Sequence, residues 1–402
     1  MNVTEQAAGR TGNHMLDNDT SEPRGLVPVV DADRERPSDE QKLTPGIALC
    51  LSGGGYRAML YHLGGIIRLN ELGKLRDVDR VSSVSGGSIT AGMLGLAWTR
   101  LQFGADGVAS NLDRLVIDPI RGLAGHTLDK KSIIGGILRP RRTIGQNVAD
   151  AYDRHLYDGK TLRDLPDDAQ GPRFVINATN VQTGKLFRFS RPYQGDYTVG
   201  LWLDPTTRLA DAVAASSAFP PVLSPHTIEP SGAFDESSRG VNGGAEFRSR
   251  LWMSDGGVYD NLGLETAWKR YHTILVSDGG GSLGTEASPK RNWVQHGIRV
   301  AEIVDGQVRS LRKRQLIGGF ERNLREGTYW GIQSHVPDYG LPDPLPIPVA
   351  NRENAQGVKT RLAEVDEATQ RDLINWGYVI ADTALRRWVF PEAPTPPGLP
   401  AS

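Results

Sequence analysis

Ser85 is the residue whose neighbours best suit it to covalent chemistry. It closes a strand-like run, Val78 to Val84, and Gly86-Gly87 then opens a helical pattern through Ile89, Met93, Leu96 and Ala97. A serine on such a sharp strand-to-helix turn has its hydroxyl pushed out of the sheet, beside backbone N–H groups and the positive end of a helix dipole. Acyl transfer needs that environment. A second glycine turn, Gly53-Gly54-Gly55, follows the apolar run Ile47 to Leu51, and its amides can be aimed at the oxyanion formed when a serine attacks an ester carbonyl. Losing one such donor typically costs about 3 to 4 kcal/mol of barrier. Arg57, just beyond, has the chemistry to hold the loop or to meet an anionic head group.

Two strand-turn-helix units in succession must position these groups. After the first turn, Met59, Leu63, Ile66, Ile67 and Leu69 recur at helical spacing until Gly73, which is suited to stop the helix. Both turns then lie at the carboxyl edge of one sheet. Further along, Leu251-Trp252-Met253 leads into Ser254-Asp255-Gly256-Gly257, a strand ending in a carboxylate on a glycine turn. His272 to Ser277 is another buried-type strand, and it ends similarly at Asp278-Gly279-Gly280.

Taken together these segments resemble the patatin-like phospholipases, the patatin-like lipid acyl hydrolases. That family's glycine motif G-G-G-x-R-G appears as Gly53-Gly54-Gly55-Tyr56-Arg57-Ala58, its nucleophile elbow G-x-S-x-G as Ser83-Val84-Ser85-Gly86-Gly87, and its distal D-G-G/A as Asp255-Gly256-Gly257. Ala58 and Ser83 replace family glycines, and both are small enough for the turns to survive. The form S-G-G-G-x-R-A is also similar to cytosolic phospholipases that share this catalytic core. The resemblance covers roughly residues 46–282 and implies an α/β, three-layer α/β/α hydrolase core with a mainly parallel central sheet and helical additions. It implies a dyad in which Ser85 is the nucleophile and Asp255 activates it directly, with no histidine and with neither metal nor organic cofactor. A carboxylate is a weak base for a hydroxyl, so the site must be dry enough to raise the Asp255 pKa. Ala215-Ser216-Ser217-Ala218 and Pro220-Pro221 also resemble a family segment near the active site, and no catalytic role is assigned to them.

The chain has 402 residues, with 46 Lys plus Arg, 47 Asp plus Glu and a net charge of -1. Nothing in that balance argues for nucleic acid as a partner. Cys50 is the single cysteine; it excludes an internal disulfide, fits a reducing, cytoplasmic setting, and reads as a small buried hydrophobe within a strand. The expected partner is a lipid substrate, with peripheral membrane contact as a further expectation and none set for oligomeric state. Neither a run of about 20 apolar residues nor the apolar core of a signal peptide is present. Expected divisions are a disordered leader over 1–44, a catalytic core over 45–285, a helical C-terminal extension over 286–390 packed on the core, and a flexible tail over 391–402.

Several segments carry secondary expectations. Ile133 to Leu138 beside Arg139, Arg141 and Arg142 reads as a helical insertion or a flap over a lipid site. Residues 147–156 and 208–217 read as helices, and 173–181 with 186–190 as a hairpin turning at Gln182 to Lys185. From Trp293 to about Arg325 the pattern is helical, with Val300, Val304, Val308 and Leu311 as a stripe. Arg309, Arg312, Lys313 and Arg314 read as a solvated face of that helix, attraction to anionic lipid being the alternative. Residues 361–390 read as a final helical segment.

Three competing readings use the same residues. Gly53-x-Gly55-x-x-Ala58 satisfies the dinucleotide fingerprint, but Asp77 and Asp79 precede the second strand instead of following it, and Ser85 and Asp255 are left without a role. A Ser-Asp-His triad would need His272 or His296. A catalytically silent lipid- or partner-binding scaffold is opposed by the intact Ser85 and Asp255. Asp278 competes with Asp255 as base, yet lacks the Val-Tyr-Asp-Asn-Leu continuation that follows Asp255.

Overall fold

The computed structural model describes residues 43–128, 143–281 and 283–401. Its sheet is built from β1 (Thr44–Leu51), β2 (Val78–Val84), β3 (Arg173–Asn180), β4 (Lys185–Phe189), β5 (Tyr193–Asp196) and β6 (Gly200–Leu203). To these are added β7 (His226–Ile228), β8 (Ala233–Asp235), β9 (Leu251–Asp255), β10 (Tyr271–Asp278) and β11 (Glu326–Gly331). The strand order is β11-β10-β1-β2-β3-β4-β5-β6-β8. From β11 to β3 the neighbours run parallel, and beyond β3 they are antiparallel. Five parallel strands thus form the centre, and β3 and β4 form the expected hairpin.

Helices cover both faces, as the alternation of side chains along the strands requires. In β1, Leu49 and Leu51 join a large core with Met59, Leu63 and Ile66 of α1 (Gly55–Glu71) and with Ile89 and Leu94 of α2 (Gly86–Ala97). Ala48 and Cys50 point the other way, to a smaller core with Leu262, Leu264, Ile274 and Val276. Burial of Cys50 pushes its thiol pKa well up, so it behaves as packing.

The segment expected at 208–217 forms α3 (Leu209–Ser216), and that at 147–156 is helical as Ile144–Tyr152 continued by one wider turn, Asp153–Tyr157. The long helix α4 is Trp293–Glu321 and the last, α5, is Glu367–Trp388. The flap expected around Ile133 to Arg142, and the leader up to residue 42, lie outside the described residues.

Three C-terminal features bear on the expectations above. First, a division at 285 falls inside one architecture, since β11 extends the central sheet beside β10 and α5 packs on α1 with Leu373, Ile374, Trp376 and Ile380 in the main core. Second, the tail is anchored: the Asn375 side chain exchanges hydrogen bonds with backbone N and O of Ala401 at 3.0 and 2.8 Å, and Arg68 Nη2 donates to Pro394 O at 2.6 Å. Third, Arg309, Arg312 and Lys313 of α4 are not a solvated face, while Arg314 is exposed as expected. Lys313 reaches Asp278 at 2.8 Å and Arg312 reaches Glu265 at 2.7 Å. No helix among the described residues is long and apolar enough to cross a membrane.

Candidate active site

Ser85 and Asp255 are brought together by two strands that run towards each other along one edge of β3. β2 pairs with β3 in parallel up to Val84 opposite Asn177. There β2 ends and β9 takes over the same edge from the opposite direction, with Asp255 opposite Ala178. The residue after one strand therefore meets the last residue of the other. The Ser85 side chain lies near enough to the Asp255 carboxyl to lower its pKa.

The elbow is strained in the way a nucleophile turn should be. Ser85 has φ 52° and ψ -120°, a conformation that a side-chain-bearing residue occupies only when its surroundings enforce it. Enforcement comes from Ser216 at the end of α3, whose Oγ accepts from the Ser85 amide at 2.9 Å and donates to Asn177 O at 2.6 Å. Ser88 Oγ lies 2.9 Å from Ser216 Oγ and donates to Ser83 Oγ at 3.0 Å, so Ser83 contributes a buried hydroxyl where the family motif has glycine. The same Ser216–Ala218 segment holds the acid. Asp255 N donates to Ala218 O at 2.9 Å and Gly256 N to Ser216 O at 3.1 Å.

The two glycine turns interlock. A Cβ on Gly86 would stand 2.1 Å from Gly55 O, and one on Gly87 2.4 Å from Leu51 O, so backbone approaches backbone where no side chain fits. Gly54 and Gly55 have φ 145° and 60°, both in the region that favours glycine. Gly53 differs from expectation. Its amide donates to Asn261 O at 3.0 Å, so its place beside Ser85 is one of close packing, and the amides of Gly54 and Gly55 are the donors that this turn has left to offer. Arg57 holds the loop: Nε donates to Gly279 O at 2.9 Å and Nη1 to Val358 O at 2.7 Å.

Burial is the main cause that pushes the Asp255 pKa up to about 7. A hydrogen bond from the Gly257 amide at 2.7 Å and the nearby Ser85 side chain pull it down, and the charge of Asp305 adds a smaller upward push. Asp278, the other carboxylate on a D-G-G triplet, has the opposite surroundings. Its cost of burial is outweighed by Lys313 and Arg309, with Tyr329 Oη donating at 2.7 Å, and its pKa falls well below the carboxylate range. It is a buried structural anion pinning α4 to the end of β10.

The histidines considered for a triad lie elsewhere. His272 is near the start of β10, at the sheet edge opposite the glycine turns, 3.8 Å from Glu326. His296 is exposed on α4. His62, which had not been singled out from the sequence, is buried with its ring between Ser277 Oγ at 2.7 Å and Ser52 O at 2.9 Å; burial drives its pKa down to about 4. It braces the ends of β1 and β10, which carry the Gly53–Gly55 and Gly279–Gly281 turns. Ser216 and Asn261 were likewise missed as positioning groups, although the small-residue run around Ser216 and the Val-Tyr-Asp-Asn-Leu continuation after Asp255 contain them.

A family model described as patatin-like phospholipase matches residues 49–268, more than half of the chain. No curated protein matches the sequence. Among solved structures, human GIVD cytosolic phospholipase A2 is similar with a TM-score of 0.49 and 13% identity, covering 88% of this chain and 62% of that one. The same human enzyme in complex with methyl gamma-linolenyl fluorophosphonate gives 0.48 and 15%, covering 88% and 59%. VipD from Legionella pneumophila gives 0.32 and 16%, covering 84% and 66%. The chain thus spans about three fifths of the human enzyme's chain. With the sheet, the elbow and the glycine turns arranged as above, and with the family model matched across them, the chain belongs to the patatin-like phospholipase family.

Proposed function

We propose that this protein is a lipid acyl hydrolase of the phospholipase A or lysophospholipase type, using Ser85 as nucleophile and Asp255 as base. The observation that carries the reading is the Asp255 carboxyl, buried, raised to about 7 and brought by the β2 and β9 ends beside a serine on a strained elbow. In the reaction, Ser85 Oγ attacks the ester carbonyl while its proton passes to Asp255. The carbonyl oxygen becomes an oxyanion facing the amides of the Gly54-Gly55 turn. Collapse breaks the ester C–O bond, and Asp255 returns the proton to the departing alcohol oxygen. Water then attacks the acyl-enzyme, Asp255 takes its proton, and the fatty acid leaves as Ser85 recovers its hydrogen.

The test is labelling with a serine-directed phosphonate, with Ser85→Ala as control, followed by product analysis on mixed phospholipids. Labelling lost in Ser85→Ala, with free fatty acid released only by the unsubstituted protein, supports the reading. Folded protein that takes up no label, or an Asp255→Asn variant with near-normal turnover, ends it and favours a silent lipid-binding scaffold.

A further inference from the structure

Helix α4 is amphipathic the wrong way round for a helix resting on a soluble protein. Four of its charged side chains face inward, while Glu302 and Arg314 stay exposed: Arg299 Nη2 donates to Gly284 O at 2.7 Å, Arg309 Nη1 to Gly281 O at 2.7 Å, and Arg312 and Lys313 pair with Glu265 and Asp278. Its apolar stripe faces out. Trp293, Val300, Val304 and Leu311 follow one another at steps of about two turns, one turn and two turns, which keeps them on one side. They are 85, 45, 57 and 57% exposed. A helix normally buries that stripe and solvates the charges; here the ion pairs with the sheet end hold the reverse.

The helix that carries the exposed stripe packs beside the segment that follows Asp255, the short helix Gly257–Asp260, and Asp305 on α4 is near enough for its charge to act on Asp255. Arg309 grips the same glycine turn that Arg57 ties to the first motif. Lys290 and Arg291 are exposed just before the stripe and Arg314 just after it, so cations stand at both ends. An indole at the tip, aliphatic side chains along the side and cations at the ends are the chemistry of a helix that lies in a lipid interface.

We infer that the exposed stripe of α4, Trp293-Val300-Val304-Leu311, is the surface by which this protein docks on an anionic lipid surface, on the helix that packs beside the Asp255 segment. The inference rests on the lipid substrate proposed above for the choice of partner. A second copy of the chain, or a protein partner, are the rival occupants.

The test is sedimentation of the full chain with vesicles of phosphatidylcholine plus phosphatidylglycerol, using a Ser85→Ala background so that lipid is not consumed. Partitioning of that protein, at least about tenfold weakened by Val300→Ser with Val304→Ser, is expected from the apolar area withdrawn from lipid. Both sites are exposed, so circular dichroism and turnover of a water-soluble short-chain ester in the Ser85-containing form should not change. Failure of the parent protein to partition, or equal partitioning of the variant, overturns the inference. So does a dimer in sedimentation velocity that the double substitution dissociates, which would make the stripe a seam between copies. Vesicle binding that persists in a protein with no ester turnover at all would remove the hydrolase reading and leave the docking surface standing.

Discussion

Ser216 Oγ takes the amide proton of Ser85 at 2.9 Å and gives its own to Asn177 O at 2.6 Å, so one buried hydroxyl fixes the nucleophile turn to the strand against which the acid is also laid. Ser216→Ala leaves a buried amide without that partner, a loss worth about 1 to 3 kcal/mol. Part of the cost should appear in the chemistry. We expect kcat to fall by about tenfold to a hundredfold with KM little changed, because the turn loses its orientation and not its binding contacts. Steady-state kinetics on a soluble ester, beside a thermal melt, separates this from simple unfolding. A kcat equal to that of the parent protein would assign Ser216 to packing alone.

In the proposed reaction the Asp255 carboxyl must be ionised to accept the serine proton, and burial raises its pKa to about 7. The rate constant kcat/KM should therefore climb as pH rises through about 7 and level off above it. Stability should move oppositely. A folded-state pKa above the ordinary carboxylate value means that folding favours the protonated form, so this contribution is whole at pH below about 4 and is lost as pH rises through 7. Chemical denaturation at several pH values should show that slope in the parent protein and not in Asp255→Asn.

Two aspartates on the same sequence triplet should respond to the same substitution with opposite signs. Asp255→Asn removes a carboxylate that burial disfavours, so at pH 8 the fold should be unchanged or more stable by about 1 to 3 kcal/mol. Asp278→Asn strips the counter-charge from Lys313 and Arg309 and should cost about 3 to 5 kcal/mol. Denaturation midpoints at fixed pH compare them directly. Equal losses in both would mean that the two sites share one electrostatic character.

Gly86 faces Gly55 O so closely that a methyl group would stand 2.1 Å from it. Gly86→Ala must force the elbow away from the first glycine turn, and the expected result is loss of phosphonate labelling with destabilisation of about 1 to 3 kcal/mol. Gly159→Ala is a control for glycine replacement in general. Gly159 has φ 73° and open space around its Cβ position, so only the backbone cost of about 1 kcal/mol applies.

Much of the catalytic half was legible because each motif ends an apolar run. Val78–Val84 is a strand with the bounds read from the sequence, and the two helices begin on the glycines themselves, at Gly55 and Gly86. Long-range pairing was not legible. Nothing in Leu251 to Asp255 says that it lies antiparallel against Thr179 and Asn180, because that contact depends on where β2 happens to end. The valine stripe of α4 reads like any core-facing stripe, since periodicity reports that a face exists and not which way it turns. The proline-rich end looked loose because the hydrogen bonds that hold it come from Asn375 and Arg68, far away in the chain.

The head-to-head arrival of β2 and β9 on β3 makes the distance between nucleophile and acid a matter of alignment and not of loop length. Sliding β9 by one residue against Ala178 would turn the Asp255 side chain to the other face of the sheet. The connection that delivers β9, rich in glycine and charge between 229 and 249, carries no part of that alignment. Insertions there should leave the enzyme's chemistry intact, whereas a single added residue within 251–254 should extinguish it.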